Sequence, residues 1–373
     1  MQLRPKTQLQ DGKYEIVEKI GQGGFGIVYR AYHQGLQCDV CIKEFFFRDL
    51  CERVENSTQV SIISKSDEKI KLVDSLRKKF VKEAQRLAKF RNQNIIQVMD
   101  NFEENNTAYF VMEYLEGGSL EDLIELMGTF DEPKTKRIIM PILDALEAVH
   151  EKGLLHLDIK PANIMLRKDQ SPVLIDFGIS KYMEIGGGYT TTAPIGISKG
   201  YAPLEQYGGN VADFSPATDI YSLCATIYKM VTGITPPEPL QILGSRLKSP
   251  IEIIPKISFD FSEIVKNGMS VRANERPQSV SQIKDLLNRQ QKQITIEQTK
   301  TNEEIIVSSN FTKPMAKSQD GTKKFLIFLI VSVLVFLLFR YTNLWKIDEL
   351  FGIPGDIAVG LTFGSIAGYG PTN

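Results

Sequence analysis

The sequence predicts an α+β protein: a small, mostly antiparallel sheet with one helix, followed by a larger helical part. Three observations predict it. From Tyr14 to about Tyr114, short apolar runs alternate with turn residues, and one helical stretch interrupts them. From Leu115 to about Arg289, helical periodicity takes over. The composition, 42% hydrophobic and 24% charged over 373 residues, is that of a globular chain long enough for a full core.

Each segment follows in order. Residues 1–13 read as a polar lead-in; Met1–Gln10 lacks the apolar stretch of a signal peptide, so the N-terminal part is expected in the cytosol. In the helical part, Ile139, Ile142, Leu143, Leu146 and Val149 share one face of a helix, and Pro133 stands near its start, where proline is tolerated. Residues 290–324 carry no apolar period and read as a polar juxtamembrane linker. Phe325–Phe339 is apolar except for Ser332. Extended to Trp345, it reaches roughly 31 Å as a helix, enough to cross a bilayer. Lys313, Lys317, Lys323 and Lys324 precede it, and only Arg340 and Lys346 follow closely, which places the N-terminal part on the cytoplasmic side of a single-pass cell-membrane protein. Residues 346–373 form a glycine-rich tail, either loose or a second membrane segment.

The net charge of −1 excludes a chain built as a whole to bind nucleic acid. Four cysteines are too few for a disulfide framework. Cys38 and Cys41 have C-x-x-C spacing, but they fall on a strand, where residues three apart point to opposite faces, and no second pair completes a zinc site. Free thiols are expected.

The chemistry is concentrated in four places. Gly21-Gln22-Gly23-Gly24-Phe25-Gly26 is followed by Ile27–Tyr32, which is β-branched and aromatic, so the glycines join two strands rather than a strand to a helix. Such a loop lets backbone N–H groups approach phosphate oxygens. Lys43 ends the apolar strand Val40-Cys41-Ile42. Glu83 lies on an amphipathic helix beside the buried face of Phe80, Ala84 and Leu87, as an inward acid or a solvated boundary one. In His156-Leu157-Asp158-Ile159-Lys160-Pro161-Ala162-Asn163, an acid, a cation two residues on and an amide five on supply a proton acceptor, a phosphate partner and a neutral oxygen ligand. Asp176-Phe177-Gly178 follows the short strand Val173-Leu174-Ile175, and a carboxylate there suits Mg²⁺.

In this order, glycine loop, strand lysine, helix glutamate, catalytic loop and D-F-G resemble the protein kinases, specifically the bacterial eukaryotic-like Ser/Thr kinases, over Tyr14 to Arg289. The resemblance implies a two-lobed kinase fold, with an N-lobe at 14–114 and a C-lobe at 115–289. It implies an ATP-dependent Ser/Thr protein kinase that uses Mg²⁺ or Mn²⁺ and acts on protein hydroxyls. Carried across residue by residue, Gly21, Gly23 and Gly26 cover the phosphates. Lys43 pairs with Glu83 and grips the α- and β-phosphates. Val28 and Cys41 sandwich the adenine, Met112 is the gatekeeper, and the backbone of Glu113 and Leu115 reads the adenine edge. Asp158 accepts the substrate proton, Lys160 neutralises the γ-phosphate, and Asn163 and Asp176 hold the metal. Glu205 pairs with Arg276, and Asp219 holds the catalytic-loop backbone. A homodimer is compatible with this reading. The alternatives are a pseudokinase scaffold, which would ordinarily have lost Lys43, Asp158 or Asp176, and a small-molecule kinase, which would ordinarily have rebuilt the region of Glu205, Asp219 and Arg276.

The chain departs from the family in four places. Leu157 replaces the arginine that usually grips an activation-loop phosphate, so activity is expected not to depend strictly on phosphorylation of Thr190, Thr191 or Thr192. Gly196-Ile197-Ser198-Lys199-Gly200-Tyr201 replaces a G-T-P-G-Y-like stretch, with Ser198 the candidate for the threonine that bonds Asp158 and Lys160. Cys224 stands at a usual glycine position and is expected to be small and buried. About Phe46–Ser75 is inserted between Lys43 and Glu83, as a partner site, a switch or an idle surface loop.

Overall fold

The protein's structure, a computed structural model, describes residues 2–24, 26–177, 197–208 and 210–289. The predicted membrane span at 325–345, the linker, the tail, Gly178 and Thr190–Thr192 lie outside these residues. No helix among the described residues is long and apolar enough to cross a membrane.

The N-lobe is a six-stranded sheet in the order β1 (Gln8–Leu9), β2 (Tyr14–Gln22), β3 (Gly26–His33), β4 (Cys38–Phe45), β8 (Thr107–Glu113), β7 (Val98–Glu104). Every pairing in it is antiparallel. Alternation along the strands gives the sheet two buried faces. On one face lies α1 (Asp67–Leu87), whose Phe80 ring packs 4.8 Å from Phe110 and 5.7 Å from Phe45. On the other face Phe102 stacks on Tyr14 and Tyr109, with centroids 5.8 and 5.0 Å away.

Two segments read as marginal belong to this lobe. The lead-in over 1–13 is part of the fold: Leu3 and Leu9 are buried, β1 pairs with β2, and the Leu3 N–H donates to Tyr29 Oη at 3.0 Å. The insertion is not an idle loop. Its first half is a hairpin of β5 (Cys51–Arg53) and β6 (Val60–Ile62), and its last residues extend α1 toward its N-terminus. Arg53 donates to Glu44 Oε2 at 2.6 Å, and Tyr29 and Tyr109 donate to the same carboxylate at 2.8 and 2.9 Å. Glu44 is fully buried, so the hairpin is pinned to the sheet by a desolvated charge whose partners are all present.

The C-lobe is helical. Asp131 caps α3 (Glu132–His150) by accepting from the Lys134 N–H, and the face of Ile139, Ile142, Leu143, Leu146 and Val149 is buried as expected. Ser119 and Asp122 form a capping box on α2 (Leu120–Met127). The lobe also contains short helices α4 (Leu204–Gly208) and α6 (Pro239–Gly244), and α3, α7 (Pro250–Ile253) and α8 (Phe259–Gly268) pack on α5 (Pro216–Thr232), which is buried over almost its whole length. Residues 280–289 are helical and bury Val280, Ile283 and Leu287. Cys224 on α5 is fully buried against Gly268 of α8, where a Cβ would collide with its sulfur. Burial pushes its thiol up to about 12. Of the other cysteines, Cys41 and Cys51 are buried and Cys38 is exposed, and all four are free thiols.

Candidate active site

The lobes meet around the residues singled out in the sequence. Gly21 pairs with Val28 and Gln22 with Ile27, so the glycines do connect two antiparallel strands. The Gly23 N–H donates to the Gly26 carbonyl at 2.9 Å and closes the turn. A Cβ at Gly26 would sit 2.8 Å from the Glu44 carbonyl, so only glycine lets β3 lie this close to β4.

Cys41 and Lys43 face Met112 and Phe110 across the β4–β8 ladder. Cys41, Met112 and Leu115 are buried, and Val28 is half-buried. Burial pushes the Cys41 thiol up to about 12, so it is an uncharged apolar wall. The Lys43 ammonium lies 2.7 Å from Asp176 Oδ1. Burial works against its charge, but Asp176 and then Glu83 outweigh it and leave its pKa raised. This corrects one expectation: the ion pair of Lys43 is with Asp176, not Glu83. The helix does carry Glu83 inward, 2% exposed beside Phe80, Ala84 and Leu87. Its charge is felt at Lys43, but the ammonium takes the carboxylate that reaches it from the C-lobe.

The catalytic loop leaves α3 and is held from below. Asp219, in the first turn of α5, accepts the N–H groups of His156 and Leu157, both at 2.8 Å, and lies 2.8 Å from His150 Nε2. Gln206 Nε2 donates to the Leu157 carbonyl at 2.9 Å. Leu157 needs this support because its φ is +64°, a conformation side chains seldom adopt. Its apolar side chain is buried, so no cation stands at this position.

Asp158 is thereby fixed at the centre of a bonded cluster. Asn163 Nδ2 donates to the Asp158 carbonyl at 2.8 Å and to its Oδ2 at 2.7 Å. Ser198 Oγ donates to Asp158 Oδ1 at 2.6 Å and accepts from Lys160 Nζ at 2.9 Å. Lys160 is also 3.4 Å from Asp158 Oδ2. Ser198 thus makes both bonds assigned to the missing threonine.

Strands β9 (Ile164–Leu166) and β10 (Pro172–Leu174) lead into Asp176, whose φ is +55°. The Ile175 N–H donates to the Asn163 carbonyl at 3.0 Å, which ties the two candidate metal ligands to one backbone contact. Phe177 packs on His156, with centroids 4.4 Å apart, and burial lowers the His156 pKa, so the ring is neutral. With its amide nitrogen spent on Asp158, Asn163 keeps a carbonyl oxygen to offer, and Asp176 offers a carboxylate. This all-oxygen donor set fits Mg²⁺ or Mn²⁺. Among the described residues no group of three or more His, Cys, Asp or Glu could hold a metal by itself.

The lower brace is formed as expected. Arg276 spends all five N–H donors: two on Glu205, at 2.7 and 3.0 Å, and one each on the carbonyls of Ser270, Ala217 and Val271. Three functional neighbours escaped sequence reasoning. Gln206 and the Arg53–Glu44 pair lie in no motif. Arg167, after β9, makes a bidentate pair with Glu113, while the Gln97 N–H also bonds that carboxylate at 3.1 Å. The segment after Met112 is therefore clamped from the C-lobe, through a surface arginine that no spacing distinguishes.

The protein kinase domain family matches residues 14–303. A probable serine/threonine-protein kinase of Clostridium perfringens is 30% identical over 224 residues, 60% of this chain and 29% of that protein. The serine/threonine-protein kinase PknL of Mycobacterium tuberculosis is 27% identical over 231 residues, 62% of this chain and 52% of PknL. The chain thus spans only 29% to 52% of the length of these curated relatives. Among solved structures, PpkA-294 in its apo form superposes with a TM-score of 0.67 at 30% identity, covering 77% of this chain and 99% of that one. With the two-lobed architecture and the ordered motifs in place, the chain belongs to the protein kinase family, among the bacterial Hanks-type Ser/Thr kinases.

Proposed function

We propose that this chain is an active, ATP-dependent Ser/Thr protein kinase. One observation carries the reading: Asp158 is held by Asn163, Ser198 and Lys160 beneath a glycine loop, with the Lys43–Asp176 pair spanning the lobes. In phosphoryl transfer the protein positions groups and balances charge more than it makes bonds. Asp158 then accepts the proton of a Ser or Thr hydroxyl, and Lys160, steered by Ser198, stands against the transferred phosphoryl group. Lys43 holds the α- and β-phosphates under Gly21, Gly23 and Gly26. Glu83, inward on α1, is felt as a charge at Lys43 and would pair with it where Asp176 holds a metal ion. Val28, Cys41, Met112 and Leu115 offer apolar walls to an adenine, and the Glu113 and Leu115 backbone its polar edge. Asn163 and Asp176 would hold Mg²⁺, which when bound would supply positive charge to offset that of the phosphates.

Two finer readings belong to the proposal. With Leu157 in place of a cation, activity needs no phosphate on Thr190, Thr191 or Thr192. A variant with all three changed to alanine retains wild-type activity if this is right, and inactivity without phosphorylation defeats it. Residues 325–345 tether the kinase domain on the cytoplasmic side of the membrane, supported by the apolar run and the lysines before it.

The test is the full chain with labelled ATP, Mg²⁺ and a generic basic protein, beside Asp158→Asn. Label on serine or threonine only with the wild type supports the proposal. ATP binding with no transfer by either protein overturns it in favour of a binding module.

A further inference from the structure

The outward face of α1 carries a charge pattern that the kinase reaction does not use. Lys71, Lys78, Lys82, Arg86 and Lys89 are all exposed. At about 100° per residue, Lys71, Lys78, Lys82 and Arg86, with the exposed Ser75 and Gln85, are the only residues of α1 from 71 onward within a stripe roughly 100° wide and about 22 Å long, and Lys89 follows in the turn after Leu87. Asp67 and Glu68, in the first turn of α1, lie on the same face before Lys71, and no acidic residue follows them on it. None of the five cations makes an ion pair with a described residue, and the Arg77–Asp74 pair lies outside the stripe. Lys78–Lys82 and Lys82–Arg86 are like-charge pairs at i,i+4, which weaken a helix. The chain as a whole has a net charge of −1, so this is a local segregation of cations and not a generally basic surface.

We propose that this face of α1 is an electrostatic docking surface for an anionic lipid bilayer. The chemistry favours lipid over an acidic protein. Protein interfaces are anchored by aromatic or apolar side chains, and no large hydrophobic residue between 64 and 91 is strongly exposed. A straight row of lysines with only serine and glutamine between them matches a diffuse sheet of negative headgroups, which attracts each cation near the surface and needs no fitted pocket. Reach is provided by the proposed tether, on which the inference rests: a 35-residue polar linker spans on the order of 30 Å. Because the same helix carries Glu83, whose charge is felt at Lys43, docking bears on the candidate active site.

The experiment uses the full chain with vesicles of phosphatidylcholine alone or mixed with phosphatidylglycerol. Amine acylation at each lysine is read by mass spectrometry, with the exposed Lys248 and Lys256 of the C-lobe as internal references. Lys71, Lys78, Lys82 and Lys89 become several-fold less reactive with phosphatidylglycerol vesicles, the references do not, and high salt restores reactivity. The K78Q/K82Q/R86Q variant loses the protection of Lys71 and Lys89. Equal reactivity on both vesicles overturns the inference, as does protection by soluble polyglutamate without protection by lipid, which assigns the stripe to an acidic protein. Flotation with neutral vesicles at high salt reports the 325–345 anchor separately: flotation without protection removes the docking surface and keeps the tether, and protection without flotation does the reverse.

Discussion

The two sides of the candidate site are built differently. Below, the catalytic loop is fixed by side chains that each make several bonds to rigid elements: Asp219 reaches two backbone N–H groups and His150, Asn163 makes two bonds to Asp158, and Ser198 bridges Asp158 and Lys160. Above, Lys43 has one ion pair among the described residues, and it crosses to the other lobe. Glu83 rides on α1, which packs on β7 and β8, and the inserted hairpin is pinned beside Lys43 through Arg53 and Glu44. Asp158 is held from several directions, whereas Lys43 depends on an ion pair that crosses between the lobes and lies near a helix docked on the sheet. Such docking can be shifted without unfolding the core.

The largest test of this contrast is Asp219→Ala. It strands two buried N–H groups and releases Leu157 from its positive φ, and should cost about 4 kcal/mol of stability by thermal unfolding, with most activity lost. A fully stable, active variant would show that the loop holds itself. Next is Arg53→Met, which leaves Glu44 buried with only its two tyrosine donors, for about 3 kcal/mol. Kinase activity should fall through a raised KM for ATP more than through kcat, because Arg53 holds Glu44, the neighbour of Lys43 on β4, and not Asp158; an equal loss in both would remove the contrast. The double variant with Glu44→Gln should recover part of the stability. Ser198→Ala should lower kcat about 10-fold, near 1.4 kcal/mol of positioning, with stability nearly unchanged, and Ser198→Thr should restore it.

The smallest effect is a pH dependence. His156 is buried with its pKa lowered from 6.5 by desolvation. Above that value the ring is neutral in both folded and unfolded chains, and its contribution is constant. As pH falls below 6.5 the unfolded chain takes up the proton first, so stability declines until the folded pKa is reached. Thermal unfolding between pH 7 and 5 should show this decline, with a shallower slope in His156→Phe. An unchanged slope would assign the acid sensitivity to the carboxylate clusters.

Much of the site was legible because its logic is short-ranged. Asp158, Lys160 and Asn163 sit within six residues, and a loop of that length fixes their mutual geometry once its ends are held. The glycine loop declared itself through the strand-like residues after it. The brace of Glu205, Arg276 and Asp219 was legible only by resemblance, since 71 residues separate the first pair in sequence. Spacing could not show that Lys43 takes Asp176, 133 residues away, in place of Glu83. Nor could it show that Leu3 and Leu9 seal the sheet, because two leucines in a polar segment carry no period.

Periodicity and motif order thus determined the two-lobed plan and the choice of candidate reactive side chains, since both are written in the alternation of apolar residues and in the chemistry each side chain can perform. Tertiary structure alone decided the pairing of charges. A buried carboxylate such as Glu44 must find its cation wherever folding brings one, and Arg53 is recognised as that cation only when the hairpin has folded back onto the sheet.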